Sequence, residues 1–194
     1  MVGRGSPITF AVLSLLVASA HYCRAQSPLD SLRSIALTSK PDTNKIKLLL
    51  ALGDSLHDHD PKAALDYGTE ALHLANILDW HSLTGRIEEL IGYTNNQLSR
   101  YAEALVHLNL SIPLHLANGD SMRAAEIHWY ISSTYRRVDD TTRARKHMHQ
   151  YLDLALSSCD TNNIGEAYRG LGSCYEATDP DRAMSYYQKA LNLA

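Results

Sequence analysis

DPKAALDYGTEALHLA at 60–75 is followed by RYAEALVHLNLSIPLH at 100–115, DTTRARKHMHQYLDLA at 140–155 and PDRAMSYYQKALNLA at 180–194. Ala64, Ala104, Ala144 and Ala183 fall 40, 40 and 39 residues apart. Eleven or twelve residues before each stand Gly53, Gly92, Ser132 and Gly172, at steps of 39, 40 and 40. Two registers that recur together mark four copies of one unit, so the chain is read as a repeat array before any other feature is weighed.

Each copy reads as two helices. In the first, Leu49, Leu52 and Leu56 share a helical face, Asp60-Pro61 supplies a cap and a first-turn proline, and Ala64, Leu65, Gly68, Ala71 and Leu72 line the second face. Asp179-Pro180 repeats that punctuation in the fourth copy. Small side chains at the Gly53 and Ala64 positions let two antiparallel helices approach closely. Turns are expected near Leu78-Asp79, Asn118-Gly119-Asp120 and Cys159-Asp160, and no run alternates as a strand would. The fold class is therefore all-α: an α-solenoid of four helix pairs over 44–194, with units at about 44–79, 80–119, 120–160 and 161–194. Pro28 to Ser39 carries Leu29, Leu32 and Ile35 at helical spacing and breaks at Lys40-Pro41. This gives an N-terminal capping helix and linker over 26–43.

Composition agrees with a folded domain: 45% hydrophobic and 20% charged residues among 194. Arg4, the apolar run Ile8 to Ala20 and Cys23-Arg24-Ala25 form a secretory signal, residues 1–25, with cleavage expected after Ala25. The run is too short for a stable membrane anchor, so the mature chain is expected in the periplasm or outside the cell. That chain has 16 basic against 21 acidic residues, a net charge of −5, which argues against nucleic acid. Cys159 and Cys174 lie about a dozen helical residues apart, too far for a disulfide, and are expected as two semi-buried thiols.

No G-x-x-x-x-G-K, G-x-S-x-G or H-E-x-x-H occurs, so neither a catalytic site nor a cofactor site is expected. Gly170-Leu171-Gly172 lies inside a helix pattern and reads as packing glycine. His57-Asp58-His59-Asp60 offers ligand atoms at unhelpful spacing and reads as a solvated loop with a helix cap, so no metal is expected.

LLLALGDSL (48–56), EELIGYTNN (88–96), HWYISSTYR (128–136) and YRGLGSCYE (168–176), with the alanines of the second helices, resemble the tetratricopeptide repeat in a longer form of about forty residues. Glu88 and His128 stand where that family has a large apolar residue, which predicts looser packing at the starts of units two and three. His107 and His147 share a position with Tyr67 and Tyr186 and are expected between repeats. The resemblance implies a concave groove lined by the first helices. Counted from the glycine register, its protein-binding residues would be Arg86, Tyr93, Asn96, Trp129, Arg136, Arg137 and Arg169. A protein or peptide segment bearing carboxylates would suit these cations. The implied function is a non-catalytic interaction module. A second reading within the family is the extracytoplasmic sensory part of a longer kinase or transcription regulator; a hydrolase or metal enzyme is a third, with no motif behind it. On the last helix, Tyr186 and Leu193 are expected to point outward, where a continuing chain or self-association would cover them.

Overall fold

The computed structural model describes residues 28–193, so the signal segment and Cys23 lie outside the described residues. Helix α1, Pro28–Thr38, follows the predicted spacing of Leu29, Leu32 and Ile35. The rest of the described chain forms a separate unit of eight helices. These are α2 (Thr43–Leu56), α3 (Pro61–Ile77), α4 (Thr84–Gln97), α5 (Tyr101–Ala117), α6 (Ser121–Arg137), α7 (Thr141–Ser158), α8 (Thr161–Tyr175) and α9 (Pro180–Leu191). They pair as α2/α3, α4/α5, α6/α7 and α8/α9, the four predicted units.

The first helices, α2, α4, α6 and α8, touch one another in succession, whereas among the described residues the second helices do not. An array whose first helices converge and whose second helices spread must curve with the first helices on its inner side. The core is correspondingly shared between neighbours. Leu108 of α5 packs with Ile127 and Ile131 of α6, and Ala125 of α6, Met148 and Leu152 of α7, and Ala167 and Leu171 of α8 form one cluster.

The turns have a common construction. Asp79, Ser99, Gly119, Asp139 and Cys159 all take left-handed backbone angles, with φ between 49° and 77°. In each of the first four turns the next N–H returns to a carbonyl of the preceding helix. Trp80 N donates to Ala75 O at 2.9 Å, Arg100 N to Asn95 O at 2.8 Å, Asp120 N to His115 O and Asp140 N to Tyr135 O, both at 2.9 Å. Asp60, Asp120, Asp140, Asp160 and Asp179 then cap the helices that follow. Of these, the turns at Asp79, Gly119 and Cys159 lie where the sequence placed them.

Close approach within a pair is visible at Gly92, where a Cβ would fall 2.9 Å from the Leu108 backbone nitrogen. Ser132 at the same register fits by donating its hydroxyl to Ala144 O at 2.9 Å. Gly92→Ala should therefore force α4 from α5 and lower the unfolding free energy by about 1–3 kcal/mol, measured by chemical denaturation. An unchanged midpoint would show that the pair separates freely.

Four expectations require correction. Glu88 and His128 do not loosen their units. Both are 7% exposed, and each is bonded to the second helix of its own unit: Glu88 Oε2 to His107 Nδ1 at 2.6 Å, and His128 Nδ1 to His147 Nδ1 at 3.0 Å. His107 and His147 thus act within units rather than between them. Cys159 is exposed at the left-handed turn, and only Cys174 is buried, both as free thiols. On α9, Tyr186 stacks inward on Tyr168 and Tyr175, with ring centroids 6.2 and 5.7 Å apart. Met184 and Leu191, seven residues apart and each 68% exposed, hold the outward positions beside Leu193.

Candidate binding groove

Along the inner face the residues carried by successive first helices meet their repeat equivalents. The best-defined meeting is an aromatic series. His57, which caps the C-terminus of α2, sits edge-on to Tyr93 of α4 at 4.9 Å, Tyr93 to Tyr130 of α6 at 5.1 Å, and Tyr130 to Trp129 at 5.2 Å. Edge-to-face rings hold one another in fixed orientation. Tyr93 is tied further by donating to Asp58 Oδ1 at 3.2 Å and accepting from Gln97 Nε2 at 3.2 Å. The series ends at Trp129, which is 39% exposed and so can meet a ligand.

Below these rings lies a charge network centred on Glu89. Its side chain is only 8% exposed. Arg123 grips it in a fork, Nη2 to Oε1 at 2.7 Å and Nε to Oε2 at 3.0 Å, while Arg86 Nη1 reaches Oε2 at 3.2 Å. His115 Nε2 stands 3.3 Å away. Arg86 also binds Asp54 at 3.0 Å, and Arg123 binds Glu126 at 2.7 Å. Burial pushes the Glu89 carboxyl up, but His115, Arg86 and Arg123 together outweigh it and hold the group below the usual carboxylate range. Asp54, His57, Arg86, Glu89, Tyr93 and Tyr130 are among the residues lining a pocket of about 280 Å³ there.

A second pocket, about 310 Å³, opens between α6, α7 and α8 and is lined by Glu126, Trp129, Tyr130, Tyr151 and Glu166. It is more open to solvent than the first. Tyr151 is fixed by donating its hydroxyl to Asn163 Oδ1 at 2.7 Å.

Of the residues expected to bind a partner, the structure brings Tyr93 and Trp129 into one aromatic series through Tyr130, which sequence reasoning left out. Arg86 is not a free cation, because Asp54 and Glu89 already hold it. Arg169 is paired with Glu166. Asn96 donates to Thr134 Oγ1 at 2.7 Å and so joins α4 to α6. Arg137 engages the Tyr101 hydroxyl on α5, away from the inner face, and Arg136 is exposed near Cys174 and Tyr187. Arg123 was missed. Its Glu126 partner three residues on was legible as a helical pair, but its Glu89 partner, 34 residues back, was not. In the 57–60 loop, His57 Nδ1 lies 2.7 Å from Asp54 O and Asp60 caps α3. Among the described residues no group of three or more His, Cys, Asp or Glu is placed to hold a metal ion, and no helix is long and apolar enough to cross a membrane.

A family model described as Tetratricopeptide repeat matches residues 123–194. No curated protein sequence matches the chain. Among solved structures, MamA is 20% identical and covers 88% of this chain and 91% of its own, at a TM-score of 0.66. A signal transduction ATPase with numerous domains and a tetratricopeptide repeat sensor, from Pyrococcus horikoshii, is 12% identical at a TM-score of 0.77. That match covers 93% of this chain but 28% of the ATPase. Aspartyl phosphate phosphatase F from Bacillus subtilis is also 12% identical, at 0.73, covering 84% of this chain and 43% of its own. At these identities the likeness is one of fold.

Proposed function

We propose that the chain is a protein-interaction module of the tetratricopeptide-repeat type whose inner face holds a segment of another protein; the family model over residues 123–194 and the fold shared with solved tetratricopeptide-like structures support this reading. The observation that carries this is the aromatic series from His57 to Trp129, which crosses three first helices and ends in an exposed indole. Aromatic side chains held rigid by their neighbours lose little entropy when a ligand covers them, and they dominate interface energetics. With Arg86 and Arg169 already paired and Arg137 turned to α5, the case for a carboxylate-rich segment rests on Arg136 alone.

The test is site-specific photo-crosslinking. A crosslinker at position 129 should capture the partner from native cells, whereas one at Lys146, on the second helix α7, should not. Trp129→Ala should also weaken capture about tenfold or more, the cost of truncating an aromatic anchor, with Lys146→Ala near wild type. Equal capture from both positions, with helicity intact by circular dichroism, would sink the groove assignment.

The reading extends to location. Arg4, the run from Ile8 to Ala20 and Cys23-Arg24-Ala25 support export, with Gln26 as the mature N-terminus. N-terminal sequencing of the protein from its own cells checks this. A product that begins at Met1 and stays with the cytoplasmic fraction would reverse it.

A further inference from the structure

We propose that the pocket between α6, α7 and α8 receives a cationic side chain, a lysine or arginine of the bound segment. This rests on the groove reading above and names the residue class that the groove selects. Three aromatic residues and two carboxylates line the pocket, and no basic residue does. The Trp129 and Tyr130 rings stand at 83°, which makes a corner of two aromatic walls. At about 310 Å³ the space is near the lower end of ligand pockets, roughly 300 Å³. An ammonium or guanidinium group is attracted to aromatic faces and to carboxylates alike, and a pocket offering both favours cations over any other side chain.

The carboxylates come from one repeat position. Glu126 of α6 and Glu166 of α8 are forty residues apart, and the same register holds Lys47 in α2 and Arg86 in α4. The sign of the charge at this position therefore reverses between units two and three. Glu126 is bonded to Arg123 and Glu166 to Arg169, each three residues away on its own helix. Such exposed pairs are worth little, and a carboxylate has about four acceptor sites, so both remain able to bind a further cation. Their side chains are 40% and 45% exposed. The local field agrees. Burial raises the Tyr151 phenol to about 12, with Glu126 and Asp160 adding to the rise and Arg169 opposing it.

Trp129 and Trp80 are the two tryptophans of the sequence, so in a Trp80→Phe background Trp129 fluorescence reports the pocket directly. Pentalysine titrated at about 0.15 M salt should give a saturable change, and pentaglutamate none. Glu126→Gln with Glu166→Gln should weaken pentalysine about fivefold or more. Asp153→Asn with Asp181→Asn, which removes the same charge from exposed sites elsewhere, should not. The proposal is overturned if pentaglutamate binds instead, if neither peptide binds, or if the two double variants weaken pentalysine equally. In any of these cases continued crosslinking from position 129 leaves the groove standing without its cation preference; loss of that crosslinking removes the groove itself.

Discussion

Glu89→Ala is expected to be the most damaging single substitution on the inner face, lowering the unfolding free energy by about 2–4 kcal/mol. The carboxylate is buried and gripped by Arg86 and Arg123, whose side chains are only about a third exposed. Its removal leaves two guanidinium groups facing one another with Asp54 and Glu126 as their remaining partners. Urea denaturation should show a lower midpoint at an unchanged slope. Glu70→Ala breaks a comparable contact, with Lys45 Nζ at 2.9 Å, but Glu70 is 49% exposed, so the loss there should stay below about 1 kcal/mol. Replacing Arg86, Glu89 and Arg123 together by methionine should recover much of the stability, since a buried ion network and an apolar cluster of similar volume are near equals. Equal losses for Glu89→Ala and Glu70→Ala would show that the network is as solvated as a surface pair.

Acid should weaken unit three specifically. His128 Nδ1 and His147 Nδ1 share one hydrogen bond, so one ring donates and the other accepts, and protonating both would set N–H against N–H. Burial, with His147 beside it, lowers the His128 pKa from 6.5 to about 4, and burial with Lys146 nearby lowers that of His147. A histidine depressed in the folded state contributes stability that is complete above its unfolded value of 6.5. It is lost as pH falls towards 4, because the unfolded chain takes up the proton first. From pH 7 to pH 5 the His128 contribution alone is about 2 kcal/mol, or roughly 4–8 °C in melting temperature. The double variant His128→Leu, His147→Tyr carries the residues that unit one has at these places, Leu49 and Tyr67. Its pH-linked loss should be smaller by that amount. An identical loss in both proteins would show that the pair does not titrate in this window. The Glu89 carboxyl, held low, adds stability that is present above 4.5 and fades only below it, outside this range.

The period of forty made the architecture legible, because the glycine and alanine registers report helix approach directly: Gly92 meets the Leu108 backbone, and Ser132 reaches Ala144. The same counting placed Tyr93 and Trp129 on the inner face. What it could not supply was pairing between units. Arg86 looks available in sequence because Asp54 is 32 residues away, and only the stacking of α4 on α2 brings the two to 3.0 Å. Tyr130 was missed because it adjoins Trp129, about 100° further round the helix, while the inner face is wide enough to take both. Glu88 and His128 read as faults in an apolar pattern because their partners sit nineteen residues on, in the other helix of the pair.

Those last pairs bear on how the array assembles. At one and the same position the four units carry Leu49 with Tyr67, Glu88 with His107, His128 with His147, and Tyr168 with Tyr186. Tandem copies of one unit face a fidelity problem during folding: the first helix of one copy can close on the second helix of the next, giving a shifted or swapped assembly of nearly equal energy. Unlike partners remove that degeneracy. A one-unit slip would set Leu49 against His107, Glu88 against His147 and His128 against Tyr186, which faces the His107 imidazole with leucine and breaks the imidazole pair. Each unit thus carries its own recognition token, and proofreading of register is written into the interior of the hairpins rather than into their turns.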